Sequence, residues 1–130
     1  MAFQTTALYA LPLALLGLVL WFRVSLVRAN LKVSIGDADN PGLHERIRQH
    51  GNFIEWVPMV LLLMVIAEGN GAGTLWLHIS GVLLLLGRLV HPFGLKADNA
   101  GHPLRYVGNT ASLLATLNVM VCLFVTSFGL

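Results

Sequence analysis

The sequence has little charge and almost no cysteine, and both shortages narrow the class of protein. Charged residues are 11% of the 130 residues, whereas an ordinary soluble domain has about a quarter. The single cysteine, Cys122, excludes an internal disulfide and lies in an apolar run without the cationic neighbours of a reactive thiol. The eight Lys and Arg residues form no basic tract, so we expect no nucleic acid partner. No His, Cys, Asp and Glu spacing predicts a metal site.

Long apolar stretches are what the sequence has in abundance. Hydrophobic residues make up 56% of the chain, and the mean hydropathy is +0.76. The length suits four membrane spans of about 20 residues with short connections. We predict an all-α integral membrane four-helix bundle with up-down topology. It forms one domain over residues 1–130, with spans at about 5–27, 42–67, 74–93 and 104–128.

The basic residues are distributed on one side of this predicted topology. All of them flank the first or the third connection, and none lies near either terminus or in the EGNGAG connection at 68–73. The positive-inside rule therefore predicts cytoplasmic first and third connections and non-cytoplasmic N- and C-termini. The residues are Arg23, Arg28, Lys32, Arg46, Arg48, Arg88, Lys96 and Arg105.

Polar side chains enter the spans from the same side. In a continuous helix Arg48, Asn52 and Glu55 fall within roughly 60° of one another. Charges in a membrane helix are costly unless they are paired or bind a ligand. We expect this stripe to converge with polar residues of the third and fourth spans, namely Arg88, His91, Arg105 and Asn109. Several arginines around one carboxylate suit a ligand that carries both carboxylate and ammonium groups.

Three motifs in these spans resemble the MAPEG family, the membrane-associated proteins in eicosanoid and glutathione metabolism. They are RIRQHGNFIEWVP at 46–58, GRLVHPFGL at 87–95 and LRYVGN at 104–109. The chain is most similar to small bacterial members, which implies a bacterial inner membrane. Two positions depart from the family's eicosanoid synthases: Leu95 replaces a frequent Tyr, and Tyr106 replaces Ser or Leu.

The resemblance implies a homotrimer that binds glutathione between subunits at the cytoplasmic side. It implies that Arg105 is the catalytic residue beside the glutathione sulfur. Arg28 matches an arginine at the end of the first span, with Arg23 as the alternative. The full set of implied glutathione-binding residues is Arg28, Arg48, Asn52, Glu55, Arg88, His91, Tyr106 and Asn109.

The function we expect is glutathione-dependent catalysis, either conjugation of lipophilic electrophiles or reduction of lipid hydroperoxides. An arginine beside the sulfur would favour the reactive thiolate. Structural alternatives remain: Glu55 pairing with Arg48 or Arg88 to fix helix packing, and Arg88 and Arg105 extending to the lipid headgroups. Two other function classes remain open: a non-catalytic assembly subunit and an exporter-like protein. The first span, however, lacks the acidic residue that such exporters use.

Overall fold

The computed structural model describes residues 2–129, and these residues form four α-helices and no strand. The helices are α1 (Gln4–Leu31), α2 (Pro41–Gly69), α3 (Thr74–Gly94) and α4 (Pro103–Phe128). Each is long and apolar enough to cross a membrane. The predicted all-α class is therefore confirmed, and the chain is an integral membrane protein.

Helix α1 continues four residues past the end of the predicted first span. Hydropathy marks where the bilayer ends, whereas the helix continues as long as its backbone hydrogen bonds do. Arg28 lies in the last turn, where a cation complements the helix dipole. Lys32 then adopts the left-handed conformation and caps the end of the helix.

The start of α2 follows the pattern of its sequence closely. The Asn40 side chain accepts a hydrogen bond from the Leu43 amide at 2.9 Å, and Pro41 occupies the first helical position. Asn is a favoured N-cap, and proline has no amide hydrogen to leave unpaired there. Pro58 lies inside the helix. The Asn40 cap and Pro41 together set the residue at which α2 begins.

Glycines allow α3 and α4 to approach closely. A Cβ added at Gly87 would meet the Gly108 carbonyl oxygen at 3.0 Å, and a Cβ at Gly94 would collide with the backbone at Arg105. Small residues at such positions let membrane helices pack backbone against backbone. The close approach brings the C-terminal part of α3 against the first turns of α4.

Side-chain contacts define two ends of the helix bundle. We call the end that carries connections 32–40 and 95–102 the basic end. There, Lys96 Nζ lies 3.1 Å from Glu45 Oε1. We call the end that carries connection 70–73 the glycine-loop end. There, the Glu68 carboxylate accepts hydrogen bonds from the Thr5 and Thr6 amides at 2.8 and 2.9 Å. The functional candidates lie at the basic end.

Candidate functional site

A fully buried arginine stands at the centre of the basic end. Arg88 on α3 is 1% exposed. One terminal nitrogen, Nη1, donates to Asn52 Oδ1 at 2.7 Å, and the other, Nη2, donates to the Gly108 carbonyl at 2.8 Å. The guanidinium carbon lies 6.0 Å from the centroid of the Trp56 ring. Arg88 takes part in none of the ion pairs found within residues 2–129.

A charge in this position creates a strong local field. Coulomb interactions are much stronger in a protein interior than in water because the surroundings screen them less. The two neutral acceptors of Arg88 solvate its charge without neutralising it. The space beside Asn52 and Trp56 therefore favours an anion.

Three buried polar atoms around Arg88 have no hydrogen-bond partner within residues 2–129. They are Nε of Arg88 itself, Nε2 of His91 and Oδ1 of Asn109. His91 is 2% exposed. Buried polar atoms are nearly always paired in proteins because an unpaired one costs about 1–3 kcal/mol. The His91 imidazole and the Asn109 amide lie within reach of each other, so Nε of Arg88 is the atom that most needs a ligand or water to complete the network.

The polar stripe of α2 divides into two parts. Arg48 and Glu55 pair with each other, with Nη2 and Oε1 3.3 Å apart. Their side chains are 50% and 54% exposed, so the pair lies on the outer surface of the helix bundle. Asn52, between them in sequence, turns inward to Arg88. The three residues share a face as predicted, but only Asn52 reaches the buried cluster within this chain.

The remaining predicted residues lie at the rim of the basic end. Arg105 Nη1 donates to the Ala100 carbonyl at 2.8 Å, and its guanidinium carbon is 5.9 Å from the ring centroid of Tyr106. Tyr106 is 58% exposed. Arg28 is engaged elsewhere, since it donates to the Gly36 carbonyl at 2.8 Å in connection 32–40. Arg28 is therefore bound to its own connection rather than to the Arg88 cluster.

Gln49 is a site residue that the motif analysis missed. It is 1% exposed, and its amide nitrogen donates to the carbonyls of Pro92 and Leu95 at 2.9 and 3.1 Å. These bonds tie the end of α3 to α2 and so position His91. A signal was present in the sequence, because Gln49 shares a helix face with Glu45 and Asn52.

A groove between α2 and α4 opens beside the buried cluster. Its volume is about 360 Å³. The lining combines two amides with apolar side chains and one hydroxyl, contributed by Asn52, Trp56, Asn109, Thr110 and Leu113. Within residues 2–129, no group of three or more His, Cys, Asp or Glu side chains is placed to hold a metal ion. The chemistry available in the groove is therefore that of amides, a hydroxyl, an indole and the nearby Arg88 charge.

These features define a four-helix integral membrane protein with a polar, cationic cluster buried at one end of its helices. The chain belongs to the MAPEG family, which it matches over residues 6–125. It is 43% identical to the inner membrane protein YecN of Escherichia coli K12 over 91 residues, which is 70% of each chain. The same figures apply to YecN of Escherichia coli O6:H1. No solved structure is significantly similar to this chain.

Proposed function

We propose that the protein is a glutathione-dependent membrane enzyme. It would conjugate glutathione to lipophilic electrophiles, reduce lipid hydroperoxides, or do both. The observation that carries this proposal is the buried Arg88, which has no carboxylate partner within residues 2–129 and is surrounded by unpaired polar atoms. Glutathione supplies two carboxylates and an ammonium group, which match guanidinium donors and the Glu55 carboxylate.

Membership of the MAPEG family supports glutathione as the ligand. We assign glutathione contacts to the residues that match the family motifs, and Arg105 to the sulfur. Arg105 uses one of its five N–H donors on Ala100. The others are available to a thiolate, whose charged form a nearby guanidinium favours. The thiolate is the nucleophile in both reactions.

Each reaction balances without a metal or a redox cofactor. In conjugation the thiol proton passes to water and the thiolate sulfur forms a bond to the electrophilic carbon. In a substitution the bond to the leaving group breaks and that group departs with its electron pair; in an addition the π electrons of the attacked double bond take up a proton. In hydroperoxide reduction the sulfur attacks the distal oxygen, which releases an alcohol and leaves a sulfenic acid on glutathione. A second glutathione converts the sulfenic acid to a disulfide and water.

We further propose a homotrimer with up-down topology in a bacterial inner membrane, with both termini on the non-cytoplasmic side. Contacts between Thr5 and Glu68, and between Arg23 and Arg46, support opposite directions for α1 and α2. The exposed Arg48–Glu55 pair supports a neighbouring subunit, because a surface ion pair in a membrane helix is costly against lipid. In such a trimer Arg28 of one subunit would reach the site of another.

The test is glutathione binding to the detergent-solubilised protein by calorimetry. We expect saturable binding that weakens by about tenfold in Arg48→Ala and in Glu55→Ala, because each loses a charge-assisted contact. Lys32→Ala is the matched control, since Lys32 is exposed and lies outside the motifs. A folded wild-type protein that fails to bind millimolar glutathione would refute the proposal.

A non-catalytic assembly subunit is the second candidate. The internal pairing of Arg48 with Glu55, and of Arg88 with Asn52 and Gly108, favours it because these bonds hold helices together without a ligand. Such a subunit would lose folding stability in Arg88→Met and show no turnover in the wild type. Turnover in the wild type that Arg105→Ala abolishes would decide for the enzyme.

A further inference from the structure

We propose that a cavity at the glycine-loop end, between α3, α4 and connection 70–73, binds a lipophilic phenol that donates its hydroxyl hydrogen to the Asn118 side chain. The cavity lies at the opposite end of the helices from the proposed glutathione site, so the proposal does not depend on glutathione chemistry. Three features carry it: the open cavity, the fixed orientation of the Asn118 amide and the indole of Trp76.

The cavity forms where the chain has little side-chain volume. Helix α3 has 21 residues, whereas α2 and α4 have 29 and 26, and small residues of connection 70–73 lead into its start. Two of them, Ala72 and Gly73, line the cavity, whose volume is about 260 Å³. A cavity of about 150 Å³ is enough to hold benzene. This one therefore has room for a substituted aromatic ring.

The amide of Asn118 is held in one orientation by groups on α3. Its nitrogen, Nδ2, donates to the Trp76 carbonyl at 2.8 Å and to the Ser80 hydroxyl oxygen at 2.7 Å. The Ser80 hydroxyl donates its only hydrogen to the Ala115 carbonyl at 3.1 Å, so it can only accept from Asn118. A rotated amide would place an oxygen against two acceptors, which excludes that orientation.

This orientation leaves Oδ1 of Asn118 as the amide atom that is available to a ligand. Oδ1 accepts no hydrogen bond within the described part of the chain, and it is not among the fully buried atoms. The two bonds made by Nδ2 polarise the amide and strengthen its oxygen as an acceptor. The hydroxyl of Thr126, also on the cavity wall, is engaged by the Cys122 carbonyl at 2.9 Å. The complementary ligand therefore brings its own hydrogen-bond donor.

The indole of Trp76 favours an aromatic donor over an aliphatic one. Trp76 lines the cavity and is 54% exposed, so its ring is open to a ligand. Aromatic pairs prefer offset-stacked or edge-to-face contacts, which add to the burial of apolar area. A phenol carries its hydroxyl directly on the ring, so one rigid molecule can contact the indole and donate to Oδ1. Its pKa of about 10 keeps that hydrogen in place at neutral pH.

The experiment measures the quenching of Trp76 fluorescence by para-bromophenol and by its methyl ether, para-bromoanisole. The protein carries Trp21→Phe and Trp56→Phe, so that Trp76 is the only fluorescent indole. We expect saturable quenching by the phenol at about tenfold lower concentration than by the ether, because only the phenol donates a hydrogen bond. Nonspecific partition into detergent favours the more lipophilic ether and so predicts the opposite order.

Three further substitutions in the same background locate the bound phenol. Asn118→Leu should remove the preference for the phenol and leave quenching by the ether unchanged. Val121→Phe should weaken quenching by both compounds, because Val121 lines the cavity and a larger side chain fills it. Met120→Phe is the matched control, since Met120 is the neighbouring residue, is 51% exposed and lies outside the lining.

The single cysteine gives a second measurement if Asn118→Leu does not fold. Cys122 lines the cavity, so the phenol should slow its reaction with N-ethylmaleimide at lower concentration than the ether does. Equal effects of the phenol and the ether on the wild-type cavity would overturn the proposal and indicate a site for lipid acyl chains. Absence of saturable quenching would also overturn it, as expected if a neighbouring subunit fills the cavity.

Discussion

The two ends of the helix bundle differ in whether their buried polar groups have hydrogen-bond partners within residues 2–129. At the glycine-loop end, Glu68 accepts three hydrogen bonds from Thr5 and Thr6, and the Tyr9 hydroxyl lies 2.8 Å from Nδ1 of His78. At the basic end lie all four buried side-chain atoms that lack partners within residues 2–129. They belong to Gln49, Arg88, His91 and Asn109.

This difference separates polar groups that are paired within the chain from polar groups that are not. A network that is complete within the chain stabilises it, whereas a partly satisfied buried network costs free energy. A cost of about 1–3 kcal/mol for each unpaired atom is large beside the usual stability of a domain. The basic end therefore carries a cost that the glycine-loop end does not, and the glutathione binding that we propose would remove it.

The largest expected effect comes from breaking the backbone packing that supports the basic end. Gly94→Ala places a Cβ against the backbone at Leu104 and Arg105, which cannot rotate away as a side chain can. We expect a loss of about 3 kcal/mol in the free energy of unfolding, from overpacking. Thermal unfolding in detergent, followed by circular dichroism, measures it. Gly101→Ala is the control, because its Cβ meets only an ordinary contact at 3.7 Å.

A matched pair of acid substitutions sharpens the comparison between the ends. Glu68→Gln removes a charged acceptor from the start of α1, and we expect it to lower the free energy of unfolding by about 1–2 kcal/mol. Its glutathione affinity should equal that of the wild type. Glu55→Gln, on an exposed surface, should weaken glutathione binding and leave the free energy of unfolding unchanged. A stability loss confined to Glu55→Gln would contradict the division.

The smallest effect concerns the pair between Asp37 in connection 32–40 and His44 in the first turn of α2. Hydrogen bonds from His44 and from the Asp39 amide lower the pKa of Asp37 below its ordinary value of 3.8. Because the folded-state pKa is lowered, the stabilisation is present above the ordinary value and is lost as the pH falls through the lowered one. The difference in melting temperature between wild type and Asp37→Asn should therefore shrink as the pH falls from above 3.8 through the lowered pKa. A difference that grows on acidification would contradict this sign.

Much of the fold could be predicted because it depends on local patterns. Apolar stretches of the length of a membrane span mark α1 to α4, and Asn40 with Pro41 marks the start of α2. The helix face shared by Arg48, Asn52 and Glu55 follows from periodicity alone. The contacts that each of these three residues makes do not follow from periodicity, because Asn52 meets Arg88 only after α2 and α3 have packed.

The groove shows the same limit more clearly. From the sequence alone, Trp56 is expected to be an aromatic residue at the membrane interface, and Thr110 an ordinary helix residue. The two residues line one groove because α2 packs beside α4, which the pattern of either helix alone does not show. Gln49 was detectable in part, because it shares a face with Glu45. The carbonyls it binds belong to the end of α3, which the helix pattern alone does not bring near.

The contact between Glu68 and the start of α1 has a consequence for biosynthesis. The acceptor lies 63 residues after the Thr5 amide that it binds. At about 5–20 residues per second, a ribosome needs roughly 3–13 s to make that interval. During this time the amide groups at the start of the first helix lack their acceptor, which favours their remaining in the hydrated interface. The carboxylate at the end of the second helix then supplies the acceptor that these amides lacked.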